Sequence, residues 1–262
     1  MARTGLRPAL TPPGLRGRRI LMAYGLLGEA LNRLRPFGMD YMGAQLAWLR
    51  AEGAAAEVVA VPTSAPVAEN ARRIAEAILS EPQPCLLVAH SKGGLESLAA
   101  LLRPEVAGHC RGFVAIQSPF FGSAVADALV GHGGLHDAAR WLAHALRIGQ
   151  GDGLADLTTH ARAAWMRENG EAVAELTARL PVLCIASSLD RATARGADRR
   201  YLPLVHWVER RGGGPNDGLV SVRSALLPGA RHLVLNASHR ALVSSGEGRD
   251  PIGVLRDALA MF

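Results

Sequence analysis

The stretch AHSKGG, residues 89 to 94, sets a serine between a histidine and a lysine and follows them with two glycines. An apolar run precedes it, and a segment with helical spacing of apolar residues follows it. A serine on such a sharp strand-to-helix turn is exposed, and the residues beside it must be small. The pattern therefore indicates a nucleophile, Ser91, with the backbone N–H of Lys92 facing a developing oxyanion. A plain turn that only starts a helix is the alternative, because Ala89 stands where the elbow pattern G-x-S-x-G has its first glycine.

A second oxyanion donor is expected from the loop after an earlier strand. The segment AYGLLG, residues 23 to 28, follows such a strand, and Leu26 is its candidate backbone donor. An ordinary glycine-containing turn explains this segment equally well when it is taken alone.

A serine hydroxyl becomes nucleophilic when a histidine takes its proton, and a carboxylate orients that histidine. In α/β enzymes of this kind the chain order is serine, acid, histidine. His239 lies in a loop after the last predicted strand, where a base belongs. Asp190 and Asp217 are both candidates for the acid, and each is also a plausible turn cap.

These residues need a scaffold, and the pattern of the chain predicts one. Strands are predicted at residues 18–24, 57–62, 85–90, 112–119, 181–188 and 231–238, and helices at residues 41–53, 67–79, 94–102 and 251–262. Alternation of this kind predicts an α/β fold with a mainly parallel sheet flanked by helices. Polar residues at the carboxyl ends of its strands then meet at one edge.

The predicted domain organisation is an irregular tail over residues 1–17 and one domain over residues 18–262. Residues 124–180 show only helical segments, broken by the glycine-rich stretches GHGG and GQGDG. We expect this insertion to form a helical cap, either a mobile lid or a fixed layer packed on the body.

Composition narrows the function classes. The net charge is +6, but the basic residues are scattered without interleaved aromatics, which argues against nucleic-acid binding. No apolar run reaches the ~18 residues of a transmembrane helix, and the N-terminus lacks the apolar stretch of a secretory signal, so we expect a cytoplasmic protein. The odd number of cysteines, 3, predicts reduced and buried thiols. The oligomeric state is left open.

Several motifs in order give the chain a resemblance to the bacterial triacylglycerol lipases of the pseudomonad and Burkholderia type, within the α/β-hydrolase superfamily. The matching segments are AYGLLG, AHSKGGLES, SPFFGSAVAD, DLTTHARAAWMREN and NDGLVSVRSA. The resemblance implies an α/β-hydrolase fold with a cap or lid. It also implies Ser91 as nucleophile, Asp217 as acid and His239 as base, and so favours Asp217 over Asp190.

The sequence departs from this family at several positions. Tyr24 replaces the histidine usually found before the oxyanion-loop glycine, and Arg223 replaces a cysteine of the family's disulfide. Ala241 stands where the family has a calcium-binding aspartate, so we expect no metal and no other cofactor.

The resemblance implies hydrolysis of acyl esters, with a small-molecule or lipid ester as substrate. We expect Tyr24, Leu27 and His90 to contact that substrate, and the side chain of Lys92 to reach either the cleft rim or solvent. The alternatives are an intracellular thioesterase or polyester depolymerase, and a non-catalytic protein that binds a lipid or a partner.

Overall fold

The computed structural model describes residues 14–25, 41–62, 64–131, 152–246 and 248–262. Its centre is a parallel six-stranded sheet with the strand order β2-β1-β3-β4-β5-β6. The strands are β1 (Arg19–Ala23), β2 (Ala55–Val58), β3 (Cys85–His90), β4 (Cys110–Ile116), β5 (Val182–Ser188) and β6 (Arg231–Asn236). The predicted α/β architecture with a parallel sheet is confirmed.

Helices cover both faces of this sheet. They are α1 (Gly43–Ala51), α2 (Val67–Leu79), α3 (Lys92–Leu101), α4 (Pro104–Ala107), α5 (Ala124–Val130), α6 (Thr159–Arg179), α7 (Leu202–Glu209) and α8 (Pro251–Leu259). Short 3-10 helices lie at Asp152–Leu157, Gly196–Tyr201 and Val222–Ala225.

A hydrophobic core lies on each face of the sheet, which explains why the central strands are apolar throughout. Leu87 of β3 belongs to a core that includes Ile74 of α2. Its neighbour Val88 belongs to the opposite core, with Leu49 of α1 and Leu255 of α8. Successive strand residues point to opposite faces, so a strand covered by helices on both sides has no polar face.

Several elements differ from the sequence prediction. Strand β4 occupies Cys110–Ile116 rather than residues 112–119, and helix α4 (Pro104–Ala107) forms where no element was predicted. The edge strand β2 occupies Ala55–Val58 rather than residues 57–62, because its pairing with β1 begins at Ala55 opposite Arg19. Helix α7 forms in a segment predicted to be irregular. Its apolar positions Leu204 and Val208 are buried together in a small separate cluster, which supplies the packing that stabilises so short a helix.

The described part of the predicted cap is helical. The Asp127 carboxylate in α5 accepts hydrogen bonds from the backbone N–H and the hydroxyl of Thr159, both at 2.7 Å, and so joins α5 to the start of α6. Further along α6, Val173 and Leu176 are buried in the core under the sheet. This half of α6 therefore packs on the body of the protein. Most of the predicted tail and residues 132–151 of the predicted cap lie outside the described residues.

Among the described residues, no helix has the length and the apolar character needed to cross a membrane.

Candidate active site

Ser91 lies on a sharp turn between β3 and α3. Its backbone has φ 54° and ψ −126°, a conformation that residues other than glycine rarely adopt. Two hydrogen bonds hold the turn: the Ser91 N–H donates to the Ile116 carbonyl at 2.9 Å, and the Gly94 N–H donates to the Ser91 carbonyl at 3.0 Å. The half-buried Ser91 hydroxyl is thereby placed at the carboxyl edge of the sheet.

Positions 93 and 94 both require glycine, because atoms of neighbouring segments approach the backbone there too closely for a side chain. A Cβ at Gly93 would lie 2.6 Å from the Ala23 carbonyl oxygen and 2.5 Å from that of Tyr24, at the end of β1. A Cβ at Gly94 would lie 1.9 Å from the Ser118 hydroxyl. Helix α3 therefore begins in direct contact with the ends of the neighbouring strand segments, which leaves no room for side chains at these two positions.

His239 and Asp217 complete a chain of hydrogen bonds that starts at Ser91. The Ser91 hydroxyl lies 3.0 Å from Nε2 of His239, and Nδ1 of His239 lies 3.0 Å from the Asp217 carboxylate. Asp217 is 1% exposed and His239 5% exposed. The backbone N–H of His239 also donates to the Asp217 carbonyl at 3.1 Å, which fixes the two loops to each other.

The Asp217 carboxylate is held from several sides. One oxygen accepts the backbone N–H groups of Leu219 and Val220, at 3.0 Å and 2.8 Å. The other accepts the Ser187 hydroxyl at 3.3 Å, in addition to the His239 ring. Because each oxygen has donors of its own, the carboxylate can point only toward the Nδ1 side of His239.

Asp190, the alternative acid, lies elsewhere. It is exposed, and one carboxylate oxygen accepts the Ala192 N–H at 2.9 Å while its carbonyl accepts the Thr193 hydroxyl at 3.1 Å. It therefore caps the turn after β5, the second interpretation that the sequence offered for it.

The acid loop is attached to the segment that follows β4. The Ser123 hydroxyl donates to the Leu219 carbonyl at 2.6 Å, and the Ser224 hydroxyl donates to the Gly122 carbonyl at 2.6 Å. Two of the motifs on which the resemblance rests, SPFFGSAVAD and NDGLVSVRSA, thus contact each other.

No family model matches the chain, and no curated protein matches it by sequence. Among solved structures, the mature form of a lipase from Bacillus licheniformis aligns with a TM-score of 0.68 and 21% identity over 89% of both chains. Its propeptide form aligns with a TM-score of 0.70 and 20% identity, over 97% of this chain and 52% of that one. A metagenomic carboxyl esterase aligns with a TM-score of 0.67 and 23% identity, over 98% of this chain and 78% of that one. The chain has the α/β-hydrolase fold.

Two of the three residues predicted to contact substrate, Tyr24 and His90, lie within the described part of this hydrolase fold, and both are buried. His90 is 1% exposed and both of its ring nitrogens bond protein groups, so the prediction that it contacts substrate is replaced by an internal role. Tyr24 is 8% exposed and packs edge-on against Tyr41 with ring centroids 5.4 Å apart. Leu26 and Leu27 lie outside the described residues.

The side chain of Lys92 reaches neither the cleft rim nor solvent. It is 1% exposed, and its ammonium group donates to the Ala65 carbonyl at 2.7 Å and to the Glu96 carboxylate one helical turn later. The same oxygen of Glu96 accepts the Asn70 amide at 2.7 Å. Burial raises the pKa of Glu96, and the neighbouring ammonium opposes that shift. This buried pair anchors α3 to the α2 side of the molecule.

No pattern in the sequence indicates that two further residues, Tyr41 and Gln117, adjoin this site. Tyr41 precedes α1, and its hydroxyl hydrogen-bonds Nδ1 of His90. Gln117 follows β4 with φ 51°, and its side chain bonds His90 and the Ser238 carbonyl. His90 lies 49 residues from Tyr41 and 27 residues from Gln117 in the chain, so no local pattern could have revealed either contact.

Two further features concern metals and thiols. Within the described ranges, no group of three or more His, Cys, Asp or Glu side chains is arranged to hold a metal ion. The three cysteines are free and buried.

Proposed function

We propose that this chain is a serine carboxylic-ester hydrolase, an esterase or lipase. The observation that carries the proposal is the continuous hydrogen-bonded series from the Ser91 hydroxyl through His239 to the buried Asp217. A protein that only binds a lipid or a partner needs neither a histidine base beside a serine with a strained backbone nor a carboxylate that orients this base.

The chemistry follows from the direction of these hydrogen bonds. Because Nδ1 of His239 donates to Asp217, Nε2 is the free acceptor that takes the Ser91 proton as the hydroxyl attacks the ester carbonyl. The imidazolium then donates that proton to the leaving alcohol, and Asp217 stabilises its charge. Water activated by the same Nε2 hydrolyses the acyl-enzyme and restores Ser91.

The oxyanion of both tetrahedral intermediates needs donors next to Ser91. The backbone N–H of Lys92 opens α3, and the first N–H groups of a helix have no partner within it. Leu26 is the second proposed donor, as the lipase resemblance implies. Losing one such donor costs about 10² to 10³ in kcat in comparable enzymes.

The proposed substrate class is an acyl ester. Structural neighbours named as a lipase and a carboxyl esterase support it, together with the motif resemblance to pseudomonad and Burkholderia lipases. The finer assignment to that lipase family, with triacylglycerol as substrate, is part of this proposal.

Hydrolysis of p-nitrophenyl esters from acetate to palmitate tests the proposal. We expect the wild type to be active, Ser91→Ala to lose at least about a thousandfold in kcat, and Asp217→Asn to lose about 10³- to 10⁴-fold, because the base is then neither oriented nor stabilised.

Two matched variants serve as controls. Ser97→Ala changes a buried serine on the same helix whose hydroxyl has no hydrogen-bond partner among the described residues, so its kcat should equal that of the wild type. Asp190→Asn changes the other candidate acid and should leave kcat within about twofold. A folded wild type that is inactive on all chain lengths, or an Asp190→Asn variant as defective as Asp217→Asn, would contradict the proposal.

A further inference from the structure

A buried pair of side chains, Tyr41 and His90, joins the start of the predicted oxyanion loop to the loop of the proposed base. At one end the Tyr41 hydroxyl accepts the backbone N–H of Gly25 at 3.0 Å and hydrogen-bonds Nδ1 of His90. At the other end Nε2 of His90 lies 3.0 Å from the backbone carbonyl of His239. Gly25, two residues after β1, is thereby connected to His239 across the carboxyl edge of the sheet.

The neighbours of His90 determine its tautomer. Nε2 faces two acceptors, the His239 carbonyl and the Gln117 side-chain oxygen at 3.1 Å, so Nε2 carries the hydrogen. The amide orientation of Gln117 is itself determined, since its nitrogen donates to the Ser238 carbonyl at 3.0 Å. Nδ1 of His90 is therefore the acceptor, and the Tyr41 hydroxyl donates to it.

Burial keeps both side chains in the forms that these bonds require. Burial raises the pKa of Tyr41 far above its usual range, so the hydroxyl stays protonated. Burial, followed by the charge of neighbouring His239, lowers the pKa of His90 well below its usual range, so the ring stays neutral. The rings pack closely, with centroids 5.3 Å apart between Tyr41 and His90 and 4.9 Å apart between His90 and His239.

Gly25 is also in contact with the nucleophile. A Cβ at Gly25 would lie 2.8 Å from the Cβ of Ser91 and 2.8 Å from the Tyr41 hydroxyl oxygen. The backbone of Gly25 is thus enclosed between the serine and the tyrosine, and Leu26, the proposed oxyanion donor, is the next residue in the chain.

We propose that Tyr41 and His90 are positioning residues, which hold the start of the oxyanion loop and the backbone of the base in one fixed arrangement around Ser91. Both act through other residues, Gly25 and His239, rather than on the reacting atoms. The inference rests on the proposed esterase function and adds these two residues to it.

This role predicts a specific kinetic signature. A displaced oxyanion donor or base affects the transition state more than the bound ester, so the loss falls on kcat rather than on KM. A side chain that only stabilises the fold would change the fraction of folded enzyme and leave the kcat of each folded molecule unchanged.

The test is Tyr41→Phe, which keeps the ring and removes the hydroxyl that serves both Gly25 and His90. Kinetics on a p-nitrophenyl ester are normalised to active sites titrated with a p-nitrophenyl phosphonate. We expect kcat per titrated site to fall about ten- to a hundredfold, with KM changed by less than about threefold.

Variants of His90 give an independent measurement if Tyr41→Phe folds poorly. His90→Asn retains an acceptor near the position of Nδ1 and should keep more kcat than His90→Leu, which retains none. The double variant Tyr41→Phe/His90→Leu should be no slower than the slower single variant, because both remove the same connection. Ile78→Val, in the α2 core, is the control for a general loss of stability and should keep the wild-type kcat.

The outcomes separate this inference from the proposed function. A wild type that hydrolyses esters beside a Tyr41→Phe variant within twofold of its kcat overturns the positioning role alone. A loss that is confined to KM, or independent losses that multiply in the double variant, also overturns it. A folded wild type without activity on any ester overturns the proposed function and, with it, this inference.

Discussion

Burial and hydrogen bonding assign different tasks to the two histidines beside Ser91. His239 presents Nε2 to the serine hydroxyl and has its other nitrogen held by Asp217, an arrangement that suits its proposed role as the base. His90 immediately precedes the serine, but both of its nitrogens are satisfied inside the protein. Chain order and loop position predict His239 as the base, and its contact with the Ser91 hydroxyl in the structure agrees with that choice.

The neutral state of His90 predicts how stability depends on pH. Its folded-state pKa is depressed by burial, then by the charges of His239 and Arg240, while the unfolded chain has an ordinary value of about 6.5. As the pH falls below about 6.5, the unfolded chain takes up a proton that the folded protein excludes, so stability falls, by about 1.4 kcal/mol per pH unit. His90→Gln lacks this group in both states. Its stability deficit relative to the wild type should therefore shrink between about pH 7.5 and pH 5.5.

Urea unfolding of the two proteins across this pH range measures the effect. The comparison cancels the other titrating groups, including Tyr41, which stays protonated throughout. A deficit that is constant with pH would show that His90 is protonated as readily in the folded protein as in the unfolded chain.

At the scale of elements, the conformation of the turn that carries Ser91 depends on how closely α3 approaches β1. Gly93→Ala would place a Cβ against two backbone carbonyl oxygens, which cannot rotate away, so α3 must move. We expect about 3 kcal/mol of destabilisation and a large loss of kcat, since Ser91 moves with the helix. Thermal unfolding and ester hydrolysis of the variant measure the two effects.

Gly170→Ala is the matched control for this prediction. Gly170 lies inside α6, and among the described residues no neighbouring atom comes within 4 Å of the position that an alanine methyl would occupy. Alanine should therefore stabilise the protein by about 0.5–1 kcal/mol and leave kcat unchanged. If the two substitutions had equal effects, lack of space for a Cβ would not be the reason for glycine at position 93.

The sequence predicted the bounds of helices and strands best where a strong apolar pattern ends at turn residues on both sides. Helix α2 and strand β3 have their predicted bounds, because their apolar patterns are strong and are bounded by turn residues. Strands β2 and β4 each begin two residues before their predicted start. Their starts are set by pairing with neighbouring strands, of β2 with β1 at Arg19 and of β4 with β3 at Cys85. Helix α7 was missed, because its stability comes from residues such as Val125 that are distant in sequence.

The same distinction holds for the candidate site. Ser91, Asp217 and His239 follow from residue type, chain order and the lipase resemblance, all of which can be read along the chain. Tyr41 and the buried ion pair of Lys92 with Glu96 depend on which elements the fold brings together. Their roles could be assigned only from the packed structure.

At the scale of the whole molecule, the three cysteines report on the cooperativity of the sheet. Cys85 begins β3, Cys110 begins β4 and Cys184 lies within β5, so they sample three adjacent strands. Cys85 and Cys184 are 0% exposed and Cys110 is 9% exposed. Burial raises the pKa of Cys184 to about 11, which further suppresses the reactive thiolate.

We therefore expect an aromatic disulfide reagent to label none of these thiols in the native protein and all 3 in denaturant. During slow unfolding the labels should appear together, at the rate of global unfolding, because central strands of one sheet open as a unit. Cys184→Ala should remove one label, and the other two should still appear together. Early labelling of Cys85 and Cys110 alone, whose sulfurs lie 3.7 Å apart, would instead mean that β3 and β4 separate at their starts before the rest of the sheet opens. The edge that carries Ser91 lies at the opposite end of these strands, so even that opening would leave the proposed active site intact while it lasted.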